Sequence, residues 1–180
     1  MLVFDAVVAV KPGAGVDPIS QDSGVFGDID SILNIAVNVT AALTPPSGAG
    51  NITMFVADND TITIGDAAEF SELEVIIDTS ASQNVNPTWE YSDGASSWAS
   101  FVPTDGTNGF QNTGAMLWDA DDLVGWTTNA TGRYEIRITR TRNALTTAPI
   151  VDVIQLAAPD IYSWDKDGKV TIDLLRVMSI

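Results

Sequence analysis

Short runs of alternating hydrophobic and polar residues make up most of this chain, and turn-forming residues separate the runs. Residues 87–91 and 133–139 show the alternation most clearly, because bulky apolar side chains occupy alternate positions in both. A period of two places successive side chains on opposite faces of a strand, so one face is predicted to be buried. Five side chains are predicted to lie in the core on this basis: Trp89, Tyr91, Tyr134, Ile136 and Ile138.

Runs of this kind recur at intervals of roughly 8–12 residues, and no long stretch shows a helical period. Strands are predicted at 2–10, 32–42, 52–56, 61–64, 73–77, 87–91, 98–102, 115–118, 133–139 and 151–156. A C-terminal hairpin is predicted at 161–164 and 169–175, and single helical turns within 65–72 and 119–124. Less than about a tenth of the chain is therefore expected in helix. Many short strands without intervening helices predict an all-β, jelly-roll-like antiparallel β-sandwich.

The N-terminal segment differs in composition from the rest of the chain. Residues 2–10 predict a strand, and neither a signal peptide nor a membrane span is expected, because Asp5 interrupts the apolar run and no basic residue precedes it. Residues 11–31 contain six Gly or Pro residues and few apolar ones, which predicts an extended arm. No linker or repeat divides the chain, so one domain is predicted over 1–180. Its parts are the N-terminal strand and arm at 1–50, a sandwich core at 51–157 and the hairpin at 158–180.

The formal net charge is −16, and the basic residues are unevenly distributed. No Lys or Arg lies between Lys11 and Arg133, whereas 17 of the 24 acidic residues do. This surface would repel phosphate backbones and anionic lipids, so neither a nucleic-acid nor a membrane partner is expected. Two interpretations remain open: a solvated acidic face that maintains solubility, and a negative surface that docks on a basic partner or suits saline surroundings.

The chain contains no His and no Cys, which restricts its chemistry. A Ser-His-Asp triad, a Cys nucleophile, a disulfide framework and a His-based zinc site are all excluded. Carboxylate chemistry is left, and Asp119, Asp121 and Asp122 cluster beside Trp118 and Trp126 in a way that suits a glycosidase. Clustered Asp residues more often cap turns, so we predict no enzymatic activity and no catalytic residue.

Two acidic turns resemble the beginning of a calcium-binding loop. They are Asp58-Asn59-Asp60 and Asp165-Lys166-Asp167-Gly168. Neither continues with the spacing and terminal Glu of an EF-hand loop, and both stand where a hairpin turn is predicted. We therefore predict structural turns at both places, with no bound metal and no cofactor.

The aromatic residues allow two interpretations. The residues concerned are Trp89, Tyr91, Trp98, Trp118 and Trp126. They would form a stacking platform for carbohydrate if exposed, or fill the space between two sheets if buried. Aromatic side chains that alternate along sandwich strands bury on the order of 150–250 Å² each, which favours the core.

Two segments within residues 61–142 are recognisable: Trp89-Glu90-Tyr91 followed by Asp93-Gly94 and Trp98, and Asp105-Gly106-Thr107 followed by Gly109-Phe110. With these segments, residues 61–142 resemble the β-sandwich of tailed-bacteriophage structural proteins. In that family such domains are jelly rolls that decorate capsids as cement proteins or belong to tails and baseplates, and they offer no catalytic residues. The resemblance implies a virion structural protein, assembled in the host cytoplasm, and a capsid decoration protein is the first expectation.

The same resemblance implies partners. They are the major capsid protein and copies of this chain, with a homotrimer as the implied stoichiometry. A composition with 18% charged residues and an arm able to reach across a neighbour also favour an oligomer. A tail or baseplate component is one alternative. A carbohydrate-binding module is the other, and it requires Trp118, Trp126 or other aromatic side chains to be exposed.

Overall fold

Antiparallel β-strands form nearly all of the regular structure. The structure, a computed structural model, describes residues 25–44, 50–142, 144–158, 162–164 and 170–172. Within them one α-helix, α1 (Thr40–Leu43), and one 3-10 helix (Ala120–Asp122) are short exceptions. The all-β prediction is confirmed. No helix in this described part is long and apolar enough to cross a membrane.

Two sheets face each other. The first sheet contains β1 (Val25–Gly27), β4 (Ile52–Thr53), β6 (Glu72–Thr79), β9 (Thr104–Asp105), β10 (Gly114–Leu117) and β12 (Ile150–Ala158). The second contains β2 (Ser31–Asn34), β3 (Val37–Asn38), β5 (Thr61–Asp66), β7 (Pro87–Ser92), β8 (Trp98–Phe101) and β11 (Tyr134–Arg140). The C-terminal strands β13 (Tyr162–Trp164) and β14 (Val170–Ile172) pair with each other as predicted.

The strand order is that of a jelly roll. Neighbouring strands run β4-β12-β6-β10 in the first sheet and β5-β11-β7-β8 in the second. The chain changes sheet at every connection among these eight strands except the β7–β8 hairpin. Two interleaved four-stranded sheets connected in this way define the jelly roll, so this prediction is confirmed. β2 and β3 extend the second sheet beyond β5, and β1 extends the first beyond β12.

The core lies between the inner faces of the two sheets. Two rows of side chains cross the second sheet there: Ile64, Ile136 and Tyr91 in one, and Ile62, Ile138 and Trp89 in the other. All six are buried, as are Leu73, Val75, Met116 and Ile154 of the first sheet. Each such side chain stabilises the fold by about 1.5–3 kcal/mol. The predicted core residues are therefore confirmed except Tyr134, which is only partly buried.

Residues 32–42 do not form the single strand that was predicted. The chain reverses at Ile35 and Ala36, whose φ angles are 48° and 63°, and β3 then runs back along β2. Ile35 and Val37 consequently point to solvent, whereas Val39 packs against the core. The sequence pattern does not show the turn, because a left-handed backbone costs a non-Gly residue about 1–2 kcal/mol and an Ile is not expected to adopt it.

Two other local predictions are wrong. Residues 52–64 do not form a hairpin, because β4 pairs with β12 in the first sheet while β5 belongs to the second. Residues 65–72 do not form a helical turn, because β5 continues to Asp66 and β6 begins at Glu72. The helical turn expected within 119–124 is present as the 3-10 helix. Residues 25–38, assigned to the N-terminal segment, contribute three strands to the sandwich, and residues 1–24 lie outside the described part.

The loops gather at the two ends of the sandwich. The first loop end consists of 54–60, 80–86, 106–113, 141–142 and 144–149. Backbone hydrogen bonds join them, such as Ala81 N to Phe110 O at 3.0 Å and Ser82 N to Thr147 O at 3.0 Å. The second loop end consists of 67–71, 93–97 and 118–133. Trp118 N donates to Ser71 O at 3.1 Å, and Thr127 N donates at 3.0 Å to the oxygen of Ser92, the residue that precedes 93–97. The β2–β3 hairpin lies at the first loop end, since Ile35 N donates to Thr61 O at 3.0 Å.

Candidate functional site

The carboxylate cluster lies at the second loop end, around the 3-10 helix. Asp122 N donates to Asp119 O at 3.0 Å, which closes the turn, and Asp121 is exposed. The Trp118 ring is buried, and its indole nitrogen donates to Phe70 O at 3.0 Å. A buried ring cannot serve as a platform for a sugar beside these carboxylates. The three Asp residues therefore lie within and beside a 3-10 turn.

A shallow cavity of about 360 Å³ opens next to this cluster. It is lined by Glu69, Phe70, Ser71, Leu123, Gly125 and Trp126. A glycosidase needs two carboxyl groups on opposite sides of the scissile bond, and this lining supplies only Glu69. The Trp126 ring packs edge-to-face on Phe70 at 5.2 Å and Tyr134 at 5.4 Å, so its main role here is to close the end of the core.

Both carboxylates of the acidic turn at 58–60 have partners within the protein. The Asp58 carboxylate forms an ion pair with Arg140 at 2.8 Å. The Asp60 carboxylate accepts a hydrogen bond from Ala57 N at 2.7 Å, and Asn59 has a left-handed φ of 65°. Across the described residues no group of three Asp or Glu side chains is placed to hold a metal ion. The second acidic turn, 165–168, lies outside the described residues.

The five aromatic side chains do not form an exposed row. Trp89, Tyr91 and Trp118 are buried and connected through the Phe101 ring at centroid distances of 6.4, 5.9 and 5.7 Å. Trp126 is partly buried at the second loop end. This placement is the one expected for aromatic residues that fill a sandwich core.

Trp98 is the exception, because it lies on the outward face of the second sheet. The Arg137 guanidinium stands 4.2 Å above the centre of its ring and forms an ion pair with Glu90 at 2.8 Å. Arg137 and Glu90 are direct cross-strand neighbours, with Thr63 beside Arg137 and Ser100 beside Glu90. The group offers one aromatic ring and several hydrogen-bonding side chains, but no nucleophile activated by a base. Sequence reasoning missed it because it depends on strand register.

A pair of carboxyl groups is buried on the first sheet. Leu73 and Val75 face the core, so Glu72 and Glu74 lie on the opposite face, where both are buried. Glu74 accepts a hydrogen bond from the Gln155 amide. Burial, and secondly the charge of Glu74, raises the pKa of Glu72 to about 7. A carboxyl with such a pKa is a possible acid–base group, but Glu72 does not line the cavity described above.

Exposed apolar side chains concentrate at the first loop end. Ile35, Val37 and Val56 expose 51%, 63% and 65% of their surface. The segments that carry them meet through two hydrogen bonds: Asn34 Nδ2 to Thr53 O at 3.0 Å, and Ile35 N to Thr61 O at 3.0 Å. We call these three side chains the apolar corner. Sequence reasoning missed it because it predicted one continuous strand over 32–42, with Ile35 and Val37 on the same face.

No protein family matches this sequence, and no curated protein is found to be similar to it. Function is therefore inferred from the fold and its surfaces.

Proposed function

We propose that this chain is a non-enzymatic structural protein of a virion, which binds the outside of a capsid as a decoration protein and stabilises the head lattice. Two considerations support the proposal at the level of architecture. The jelly roll is an architecture used by viral capsid and lectin domains. The second is the expectation drawn from the sequence of residues 61–142, whose turn and core segments led us to expect a phage structural protein. A fold hosts many functions, so both considerations are analogies.

The observation that carries the proposal is the placement of the aromatic side chains. Trp89, Tyr91 and Trp118 are buried, and Trp126 packs against Phe70 at the end of the core. A protein that binds carbohydrate exposes such rings on its surface. A protein with a purely architectural role buries them, and they then stabilise its sandwich. Over the described residues, the exposed apolar side chains concentrate instead at the apolar corner. This distribution favours a protein that docks on another protein.

Charge indicates the character of the partner. A chain with a net charge of −16 is soluble on the outside of a particle and is attracted to a basic docking surface. The proposed partners are the major capsid protein and two further copies of this chain in a trimer. Nucleic acid and membrane are not among the proposed partners, and the proposed location is the virion.

Deletion of the gene from the virus that encodes this chain tests the role. Heads should still assemble without the protein. They should burst at a lower temperature than wild-type heads, because the contacts that the protein makes across lattice junctions are missing. Adding the purified chain back should restore heat resistance. Normal head stability combined with defective tails would indicate the tail or baseplate alternative and would overturn the decoration role.

One observation favours carbohydrate binding as a second candidate. Among the five aromatic side chains considered, Trp98 is the one on the outward face of the second sheet. It is accompanied by Arg137, Glu90 and the hydroxyl groups of Thr63 and Ser100. Stacking on one indole ring with adjacent hydrogen-bonding groups is a recurring way to hold a sugar. Retention on immobilised polysaccharide that disappears in Trp98→Ala but persists in Trp126→Phe would support this candidate.

A further inference from the structure

The β2–β3 hairpin has an unusual tip. Asn34 pairs with Val37, so the connection between the two strands consists of Ile35 and Ala36 alone. A two-residue connection with positive φ at both positions is normally made by Asn-Gly or a similar pair, because these residues adopt the left-handed region with little strain. Here φ is 48° at Ile35 and 63° at Ala36. A β-branched residue in this conformation is an outlier, and such outliers cluster at functional positions.

This strained tip displays the apolar side chains. Ile35 is 51% exposed and Val37 is 63% exposed, and neither packs into the core of the protein. Val56, which is 65% exposed, lies in the loop whose flanking residues Thr53 and Thr61 bond to the hairpin. Three of the five large hydrophobic side chains exposed in the described residues thus belong to the apolar corner. Backbone strain and apolar exposure occur in the same place.

The charges around the corner restrict what can cover it. Residues 31–38 and 52–61, which form the corner, contain Asp58 and Asp60 but no Lys or Arg. Arg140 reaches the Asp58 carboxylate, yet its side chain is buried beneath the loop. The Arg140 guanidinium offsets the charge of Asp58, so the charge of Asp60 remains, and a two-fold contact between two corners would bring two such like charges together. A partner with basic groups around an apolar depression is complementary in both respects.

We propose that the apolar corner is a docking surface for another protein, which presents an apolar socket rimmed by Lys or Arg. Ile35 and Val37 enter the socket, and Val56 closes one side of it. The strained tip holds Ile35 at the point of the hairpin, where an Asn-Gly tip would present no apolar side chain. The inference deepens the proposed function and rests on it only for the identity of the partner as a capsid subunit.

Two synthetic peptides of equal length test the chemistry on the purified chain. One is an amphipathic Leu/Lys helix, with an apolar face between rows of ammonium groups, and the other is its Leu/Glu counterpart. Backbone amide shifts of the isotope-labelled protein report where each peptide binds. We expect the Leu/Lys peptide to shift amides at 34–37 and 54–57, and the Leu/Glu peptide to leave them unchanged. Shifts spread over the acidic surface without a maximum at the corner would overturn the proposal.

Substitutions separate docking from folding. Ile35→Asn combined with Ala36→Gly restores a favourable hairpin tip, so the melting temperature should rise while affinity for the Leu/Lys peptide falls at least about tenfold. Val124→Asn is the matched control, because Val124 is 78% exposed but lies at the second loop end. Its affinity should equal that of the wild type. Equal affinity of the double variant and the wild type would refute the docking surface.

The same variants distinguish the two proposals from each other. If virions contain the wild-type chain and also retain the Ile35→Asn, Ala36→Gly variant, the docking surface is wrong and the decoration role stands. If the wild-type chain binds the Leu/Lys peptide at the corner but is absent from virions, the decoration role is wrong and the docking surface stands.

Discussion

The Arg140 guanidinium lies 2.8 Å from the Asp58 carboxylate and joins the end of β11 to the loop that crosses from the first sheet to the second. It also donates hydrogen bonds to the carbonyl oxygens of Phe55 at 2.8 Å and Val56 at 2.9 Å. Arg140 is 2% exposed, so these acceptors replace its water shell. A buried cation held in this way fixes the loop that carries Val56, and with it one side of the apolar corner.

Replacement of Arg140 should therefore be costly. Arg140→Met leaves buried carbonyl oxygens without a donor, and we expect a loss of about 3–5 kcal/mol in the free energy of unfolding. Urea denaturation of the variant and the wild type measures it. Arg137→Met is the control, since the Arg137–Glu90 pair is partly exposed and should be worth about 1 kcal/mol. Equal losses for the two variants would show that the buried position of Arg140 has no special role.

Two glycines with similar backbones should respond differently to alanine. Gly109 and Gly125 have φ angles of 65° and 82°, so both substitutions carry the cost of a left-handed backbone. A Cβ at Gly109 would lie 2.1 Å from Asn84 Oδ1, whereas a Cβ at Gly125 would meet nothing within 4 Å. Gly125→Ala should lower stability by about 1–2 kcal/mol and Gly109→Ala by more. Thermal unfolding of both variants gives the comparison, and a larger loss at Gly125 would contradict it.

Stability should decrease as pH rises through the neutral range because of Glu72. Burial, followed by the charge of Glu74, raises the pKa of Glu72 from 4.5 to about 7. Between these values the folded protein holds a proton that the unfolded chain has released, so raising the pH favours unfolding. Glu72→Gln cannot titrate and should have a flatter profile between pH 4.5 and about 7, the window set by these two pKa values. Identical slopes for variant and wild type would refute the assignment to Glu72.

The oligomer predicted for this chain is tested by sedimentation. We expect a trimer at micromolar concentrations, and deletion of residues 1–24 should shift the equilibrium towards monomer, because the Gly/Pro-rich arm predicted there would no longer reach a neighbour. This deletion retains every strand of the described sandwich. A monomer at high concentration, with or without the deletion, would contradict the prediction.

The sequence predicted the strands well where alternation alone determines them. Trp89 and Tyr91 alternate with Glu90, and the first two are buried because each position in a strand fixes the face of its side chain. Which strands pair, and which side chains therefore meet across neighbouring strands, could not be predicted in this way. The pairing of β4 with β12, and the contact of Arg137 with Trp98, depend on which distant strands align and in what register.

The apolar corner could not be predicted from the sequence, for a different reason. Ile35, Val37 and Val39 continue the alternation of a buried strand, and nothing at Ile35-Ala36 signals a turn, because the usual Asn-Gly pair is missing. The burial of Glu72 was not predicted either, because its alternation with Leu73 suggests that Glu72 lies on a solvated face. In the structure Glu72 is buried. In both cases local propensity and tertiary structure disagree, and such disagreement is where functional or strained positions are found.

The number of copies of this chain per purified virion tests the central claim most directly. Quantitative mass spectrometry against the major capsid protein gives that number. A decoration protein occupies every equivalent site of the head lattice, so we predict copies on the order of hundreds per particle. Tens of copies or fewer would place the chain in the tail, and its absence from the particle would contradict a virion role.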